Sequence, residues 1–513
     1  MSSEPTAYDR VAYRGFAYMD THPRRLATLA SLYGMKPASV SRCRVLELGC
    51  GNGSNLIPIA YQCPESEFIG IDLSAQAIAH GQDDIAALGL TNIVLRHADI
   101  ADVAGDYGTF DYIIAHGVYS WVPGAIREKV LTIFHDNLTP QGVAFVSYNA
   151  HPGGHLRNLA RDVMLFHVRG ISDPKQRVEE ARAILKIVSD ASDANTAHGA
   201  VLRDQYESVK FRSDDAVFHD DLQENSAAFL LHRVLDDAER HGLQYVCDAA
   251  LWRRWFLGLP RTQQDMTDDA RSWFYLLRDQ HLDFVDGHGF RQTLLCHRDV
   301  HLNRRVEPEQ IRGFHLASPI TPAAGVDPAA GSIVEFKSPV GTWQVDHALT
   351  QAALLELGRR WPAAIGFEEL LANARRGLAV RTDAPDGRSD VQTEAMTRML
   401  FHAACVGHIE FYKEPPPLDV AVSERPEASR VARLQASTGP LVTSLRHDMV
   451  TLKNKLVRHA LQLADGTRTV DRLLADLEAA VAQAQPDLGG EAVSREWIQQ
   501  NLQGLASRAL LVR

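Results

Sequence analysis

Arg44-Val45-Leu46-Glu47-Leu48-Gly49-Cys50-Gly51-Asn52-Gly53-Ser54 is the stretch on which the fold turns. A short apolar run ends near an acid and passes into three glycines at alternate positions. Backbone without Cβ atoms turns sharply from strand to helix, and it lets main-chain N–H groups and a helix start approach a polar ligand. The stretch therefore predicts a strand followed by a nucleotide-cofactor loop. It departs from the dinucleotide pattern Gly-x-Gly-x-x-Gly, because the sixth position counted from Gly49 is Ser54.

The sequence that follows strengthens this reading. Glu67-Phe68-Ile69-Gly70-Ile71-Asp72-Leu73-Ser74 predicts a second strand, whose acid lies 19 residues past Gly53. That is close to the roughly 20-residue offset of a ribose-binding carboxylate. Asn92-Ile93-Val94-Leu95-Arg96-His97-Ala98-Asp99-Ile100 predicts a third strand leading to an acid. Phe110 to His116 and Gly142 to Tyr148 predict the fourth and fifth, with a helix through Ala125 to Leu138 between them. Strands alternating with helices imply a parallel sheet with its ligand at the carboxyl ends. Any one of the acids, read by itself, also suits a helix N-cap.

The spacing Glu47-x-Gly49-x-Gly51-x-Gly53 resembles motif I of class I S-adenosylmethionine (SAM)-dependent methyltransferases. His116-Gly117-Val118-Tyr119-Ser120-Trp121-Val122-Pro123, Ser147-Tyr148-Asn149, Pro152-Gly153 and Phe290-Arg291-Gln292-Thr293-Leu294-Leu295-Cys296-His297 narrow the resemblance. They look like bacterial methyltransferases that carry a methyltransferase regulatory domain, a family that includes lysine methyltransferases of outer-membrane proteins. The resemblance implies SAM as cofactor, held by Glu47, Gly49, Cys50, Gly51, Gly53, Asp72, Leu73, Asp99, Ile100 and His116. Asp72 would take the ribose and Asp99 the adenine amino group. One departure stands out: the aromatic expected after Pro152-Gly153 is Gly154 here.

The expected fold is α/β, a Rossmann-like seven-stranded class I methyltransferase sheet with helical insertions. Ser226 to His241 predicts a helix by its apolar spacing. Leu243 to Cys247 then predicts the sixth strand and Phe290 to His297 an antiparallel seventh, with Trp252 to Phe284 as inserted helices. The catalytic domain would span 1–300, with a SAM-binding core at 40–150 and a helical, regulatory region at 151–300. Residues 301–412 would form a middle α/β accessory domain, and Pro415-Pro416-Pro417 a stiff linker. Residues 430–513 would form a winged-helix-like domain, including a helix over His447 to Leu463 and a turn at Asp465-Gly466-Thr467. At the other end, Pro23 to Tyr33 predicts an amphipathic helix after an arm carrying Tyr13, Phe16 and Tyr18. The arm folds over the cofactor or is a solvated leader.

Methyl transfer from a sulfonium requires in-line positioning of a neutral nucleophile. Aromatic faces attract cationic groups, so Tyr119, Trp121 and Tyr148, expected beside the strand ends, are candidates for the acceptor pocket. Their alternative is a packing cluster. Asn149 would orient an acceptor amine or simply make a turn. His116 is a candidate base or cofactor contact. His219 and Asp220, within Phe218-His219-Asp220-Asp221-Leu222, are expected on a loop lining the cleft or in a surface turn.

Composition excludes several other classes. The 513 residues carry a net charge of −11 without a long basic run, which argues against nucleic acid and anionic membranes as partners. In the winged-helix-like end, basic and acidic residues nearly balance, unlike a DNA reader. The six cysteines form no Cys-x-x-Cys pair, so neither zinc nor a disulfide framework is expected. The polar start and the absence of a long apolar run predict a cytoplasmic protein without membrane insertion. The expected acceptor is a protein lysine, with a small molecule as the alternative and a SAM-binding scaffold without turnover as another. The long helices after residue 155 leave a homodimer open.

Overall fold

The computed structural model describes residues 10–11, 13–250, 278–323, 332–382, 390–418, 421–483 and 493–512. Five parallel strands arise where the apolar runs predict them: β1 (Arg44–Leu48), β2 (Glu67–Asp72), β3 (Ile93–His97), β4 (Phe110–Ala115) and β5 (Leu138–Ala150). A two-residue strand, β6 (Ala228–Phe229), pairs with the end of β5. β7 (Leu243–Asp248) and β8 (Phe290–His297) complete the sheet in the order β3-β2-β1-β4-β5-β8-β7. β8 runs antiparallel to both of its neighbours. This is the Rossmann-like methyltransferase sheet expected from the sequence, with its ligand edge at the carboxyl ends of β1, β2, β4 and β5.

The strands are apolar on both faces, as a sheet covered on two sides requires. Val45, Phe68, Tyr112, Ile114, Val143 and Phe145 join one core, while Leu46, Ile71, Ile113, Ala144 and Val146 join the other. The first core continues without a break into Leu316, Phe336, Leu349 and Leu400. The middle region therefore shares its interior with the sheet. Its strands form two small sheets, one around His315–Ala317 and one around Val334–Ser338. A third core holds the helices of the carboxyl-terminal region, and a fourth lies within the helices Gly153–Val168, Pro174–Ala191 and Ala197–Lys210.

Two expected helices begin later than their apolar spacing suggests. Residues 226–230 are not helical and include the strand Ala228–Phe229, and the helix runs from Leu231 to Arg240. The sheet captures the backbone here: Ala227 N–H donates to Ser120 O at 2.9 Å and Phe229 O accepts from His151 N–H at 2.9 Å. Likewise, the helix expected from His447 runs from Lys455 to Leu463. Leu441–Thr443 and Met449–Thr451 pair as a hairpin, and the Asn454 side chain caps the helix by accepting from Leu456 N–H. In both places tertiary pairing of the backbone outweighs helical periodicity. Of the inserted helices expected between β7 and β8, residues 251–277 lie outside the described residues, and 278–286 is helical.

Candidate functional site

The loop after β1 is held in left-handed backbone at Gly49, Gly51 and Gly53, with φ of 71°, 56° and 75°. A Cβ built on Gly51 meets nothing within 4 Å, so the space above it is open. Asp72, at the end of β2, anchors the loop: Oδ2 accepts from Gly51 N–H at 2.8 Å and Oδ1 from Ser74 N–H at 2.8 Å. Next to it the Leu73 side chain is 50% exposed, while Cys50 and Ile100 are buried. Asp99 caps the turn after β3, accepting from Ala101 N–H at 2.8 Å.

Glu47 is buried inside this edge. Its Oε1 accepts from Asn55 Nδ2 at 2.7 Å, and its Oε2 has no hydrogen-bond partner. Burial pushes its carboxyl up to about 8, with Asp72 adding to the rise against the opposing Asn55 hydrogen bond. A buried carboxyl oxygen without a partner, open space above Gly51 and a half-exposed leucine beside Asp72 fit a cationic, ribose- and adenine-bearing ligand such as SAM. The amino-terminal arm closes over this edge. A Cβ on Gly15 would approach Asn52 Oδ1 and Ser54 Oγ to 2.6 Å, and Tyr18 N–H donates to Asn55 Oδ1 at 3.0 Å.

His116, after β4, lies against the Tyr18 ring at a centroid distance of 3.9 Å, and its Nδ1 is 3.1 Å from Ser147 Oγ. Burial lowers its pKa to about 4, so the imidazole is neutral near pH 7. Tyr119 and Tyr148 are each 1% exposed and form a triangle with Phe229, with centroid distances of 5.4–6.2 Å. Tyr148 Oη is 3.0 Å from Thr293 Oγ1, and burial pushes its phenol up to about 12. These two rings face the core beneath the site. Trp121 is partly exposed in the turn after β4.

A cavity of about 270 Å³ opens beside the end of β5, lined in part by Asn149, Gly153, Gly154, Arg157, Arg212 and Asp221. Asn149 is the one candidate acceptor residue from the sequence among its described lining residues. Gly154 has a local reason to be glycine: a Cβ there would come within 2.6 Å of the Ala228 Cβ on β6. Asp221, 1% exposed, is gripped by Arg157 at 2.8 Å and Arg212 at 2.6 Å. Arg212 also pairs with Asp220. His219 turns the other way, with Nε2 2.7 Å from Val11 O and its ring edge-on to Tyr13. Sequence reasoning missed Arg157 and Arg212, which carry no motif, whereas Asp221 stood beside the residues it named. Among the described residues, Asp283, Asp286 and His288 lie close enough together to share an ion, but Asp283 pairs with Arg291 at 2.9 Å.

Comparison with known proteins bears on the fold and the cofactor. Residues 39–189 match the family model described as "Methyltransferase domain", residues 213–297 "Predicted methyltransferase regulatory domain", and residues 424–510 "PKMT, C-terminal winged helix domain". The uncharacterised protein RP789 of Rickettsia prowazekii is 28% identical, over 98% of this chain and 93% of its own length. The uncharacterised protein RP028 of the same organism is 32% identical, over 46% of this chain and 94% of its own. The crystal structure of PKMT2 from Rickettsia typhi in complex with AdoHcy superposes with a TM-score of 0.86 at 25% identity, covering 98% of this chain and 100% of that one. With S-adenosylmethionine as its methyl donor, the chain belongs to the class I methyltransferases that combine a regulatory domain with a PKMT-type carboxyl-terminal winged helix.

Proposed function

We propose that this enzyme methylates the side-chain nitrogen of a protein lysine. The observation that carries the reading is the likeness to PKMT2 along 98% of the chain, accessory regions included. A small-molecule methyltransferase would have no need of so large an accessory surface. No helix among the described residues is long and apolar enough to cross a membrane, which suits an enzyme that meets its acceptor from solution. The same reading divides the chain into a catalytic region (1–300), a middle region (301–412) and a winged-helix region (430–513).

Bound SAM supplies a methyl group on a sulfonium, an electrophile that needs no further activation. In this reading Gly51, Asp72, Leu73 and Asp99 hold it, and Glu47, which keeps its proton near pH 7 in the free protein, gives that proton up to place negative charge beneath the cationic part of the bound donor. The acceptor nitrogen enters from the cavity beside β5, where the Asn149 carbonyl oxygen orients it. The ion-paired Asp220, Asp221, Arg157 and Arg212 hold the wall of that cavity in shape. His116, neutral and depressed to about 4, is too weak a base to strip a lysine, so the amine sheds its proton to solvent before it is aligned. Tyr119 and Tyr148 support the floor.

The test is transfer of radiolabelled methyl from SAM to proteins and to a small-molecule extract of the same cell, with Asp72→Ala as control. Label recovered from acid hydrolysis as methyl-lysine is the expected result. Label confined to small molecules overturns the proposal. The Asp72→Ala control should lose about 2–3 kcal/mol of SAM binding with its charge-assisted hydrogen bonds.

A further inference from the structure

His447 lies far from the methyltransferase sheet in sequence and against it in space. It sits in the turn of the carboxyl-terminal hairpin, wholly buried, with φ of 66°. A non-glycine residue in left-handed backbone is uncommon and strained, so something must hold it there. What it reaches is the cofactor edge: His447 Nε2 is 2.9 Å from Asn55 Oδ1.

The direction of each hydrogen bond follows from its partners. Tyr18 N–H can only donate, so the Asn55 amide oxygen must face it, and Nδ2 is left to donate to Glu47 Oε1 at 2.7 Å. His447 must then also donate to that oxygen, which fixes the tautomer with hydrogen on Nε2. Its Nδ1 has no partner, and burial lowers the imidazole to about 3, so it is neutral. The hairpin makes a second contact with the same arm, where Ala17 N–H points at Met449 Sδ at 3.3 Å. One amide thus ties together the hairpin, the arm over the loop and the buried acid of motif I.

We infer that His447 is a positioning residue of the cofactor site, acting through Asn55 on Glu47, and that it couples docking of the carboxyl-terminal region to SAM binding. The inference rests on the proposed role of Glu47 at the cofactor. Coupling of this kind is reciprocal, so bound SAM also tightens the hairpin against the sheet. A protein acceptor that shifts the winged-helix region would change SAM affinity without touching the loop.

Calorimetric SAM affinity of the full chain tests this. His447→Gly removes the imidazole where glycine suits the backbone, and His447→Asn tolerates left-handed φ but falls short of Asn55. Both should weaken SAM about tenfold, the effect of losing one positioning hydrogen bond. His447→Gln, which restores an amide donor, should recover most of the loss. In an Asn55→Ala background, His447→Gly should add nothing, whereas a merely structural role lowers the melting temperature and leaves the dissociation constant additive or unchanged. Should one variant fail to fold by circular dichroism, the other carries the comparison. Wild-type affinity in a folded His447 variant overturns the inference if Glu47→Ala weakens SAM. If Glu47→Ala leaves SAM affinity unchanged, the reading of Glu47 itself fails.

Discussion

The cofactor edge draws Glu47, Gly51, Asn55 and Asp72 from one strand-loop-helix-strand unit, whereas the cavity beside β5 draws Asn149 from the end of that strand and Arg157, Arg212, Asp221, Ala228 and Gly289 from segments spread over more than a hundred residues after it. At the edge, the space above Gly51 is open and one buried Glu47 oxygen has no partner. At the cavity, side chains already satisfy one another: Asp221 holds two arginines, and Gly153 packs against Gly287 and Gly289. A universal methyl donor is recognised by local backbone geometry, which a short motif encodes. A particular acceptor is recognised by a wall assembled from distant segments, which no short motif encodes.

The largest expected effect sharpens that contrast. Gly51→Ala places a methyl group where the protein itself offers no clash, at φ of 56°. Folding should lose only about 1–2 kcal/mol for the left-handed alanine. SAM binding should lose about 2–3 kcal/mol from overpacking against the ligand, on the order of a hundredfold. Calorimetry alongside thermal melting separates the two losses. Unchanged SAM affinity would break the assignment of the open space to the cofactor.

On the acceptor side, Gly154→Ala should reverse the pattern. Its Cβ would press on Ala228 at 2.6 Å and push β6 from the end of β5, deforming the cavity without touching the loop after β1. Methyl transfer to the acceptor should fall about tenfold, from a distortion worth roughly 1–3 kcal/mol. SAM affinity should stay within about twofold. Steady-state kinetics with both substrates varied checks this, and an equal loss of SAM affinity would mean that edge and cavity are one mechanical unit.

The same division explains what the sequence revealed. The sheet was legible, β6 apart, because its central strands are buried apolar runs ending near a polar residue, and even β7 and β8 could be placed on either side of a long insertion. Apolar spacing misled at 226–230 and at 447–454, where the backbone pairs with distant strands instead of closing helical turns. Gly154 looked like a missing aromatic, and only the approach of Ala228 shows why no side chain fits. Asn55, the residue after the quoted loop stretch, gave no signal, because its partners are Glu47, Tyr18, Thr21 and His447. A set of partners that runs from 8 to 392 positions away leaves no spacing to read.

The smallest effect concerns the two buried carboxyls, one on each side of the comparison. Asp221 is matched by two arginines, whereas Glu47 has a single amide and an unpartnered oxygen. The folded protein holds the Glu47 proton up to about pH 8 against an ordinary value of 4.5. Its contribution to stability is therefore complete below pH 4.5 and is lost as pH rises through 8. Glu47→Gln keeps the amide contact and removes the titration. Without cofactor, the variant should melt near wild type at pH 5 and a few degrees higher at pH 9, from about 1–2 kcal/mol of relieved desolvation. With SAM present the order should invert, because the cationic donor repays the buried charge that glutamine lacks. A variant that tracks the wild type at both pH values would show that Glu47 does not hold its proton to pH 8, and would bring the cofactor edge closer in character to the acceptor cavity.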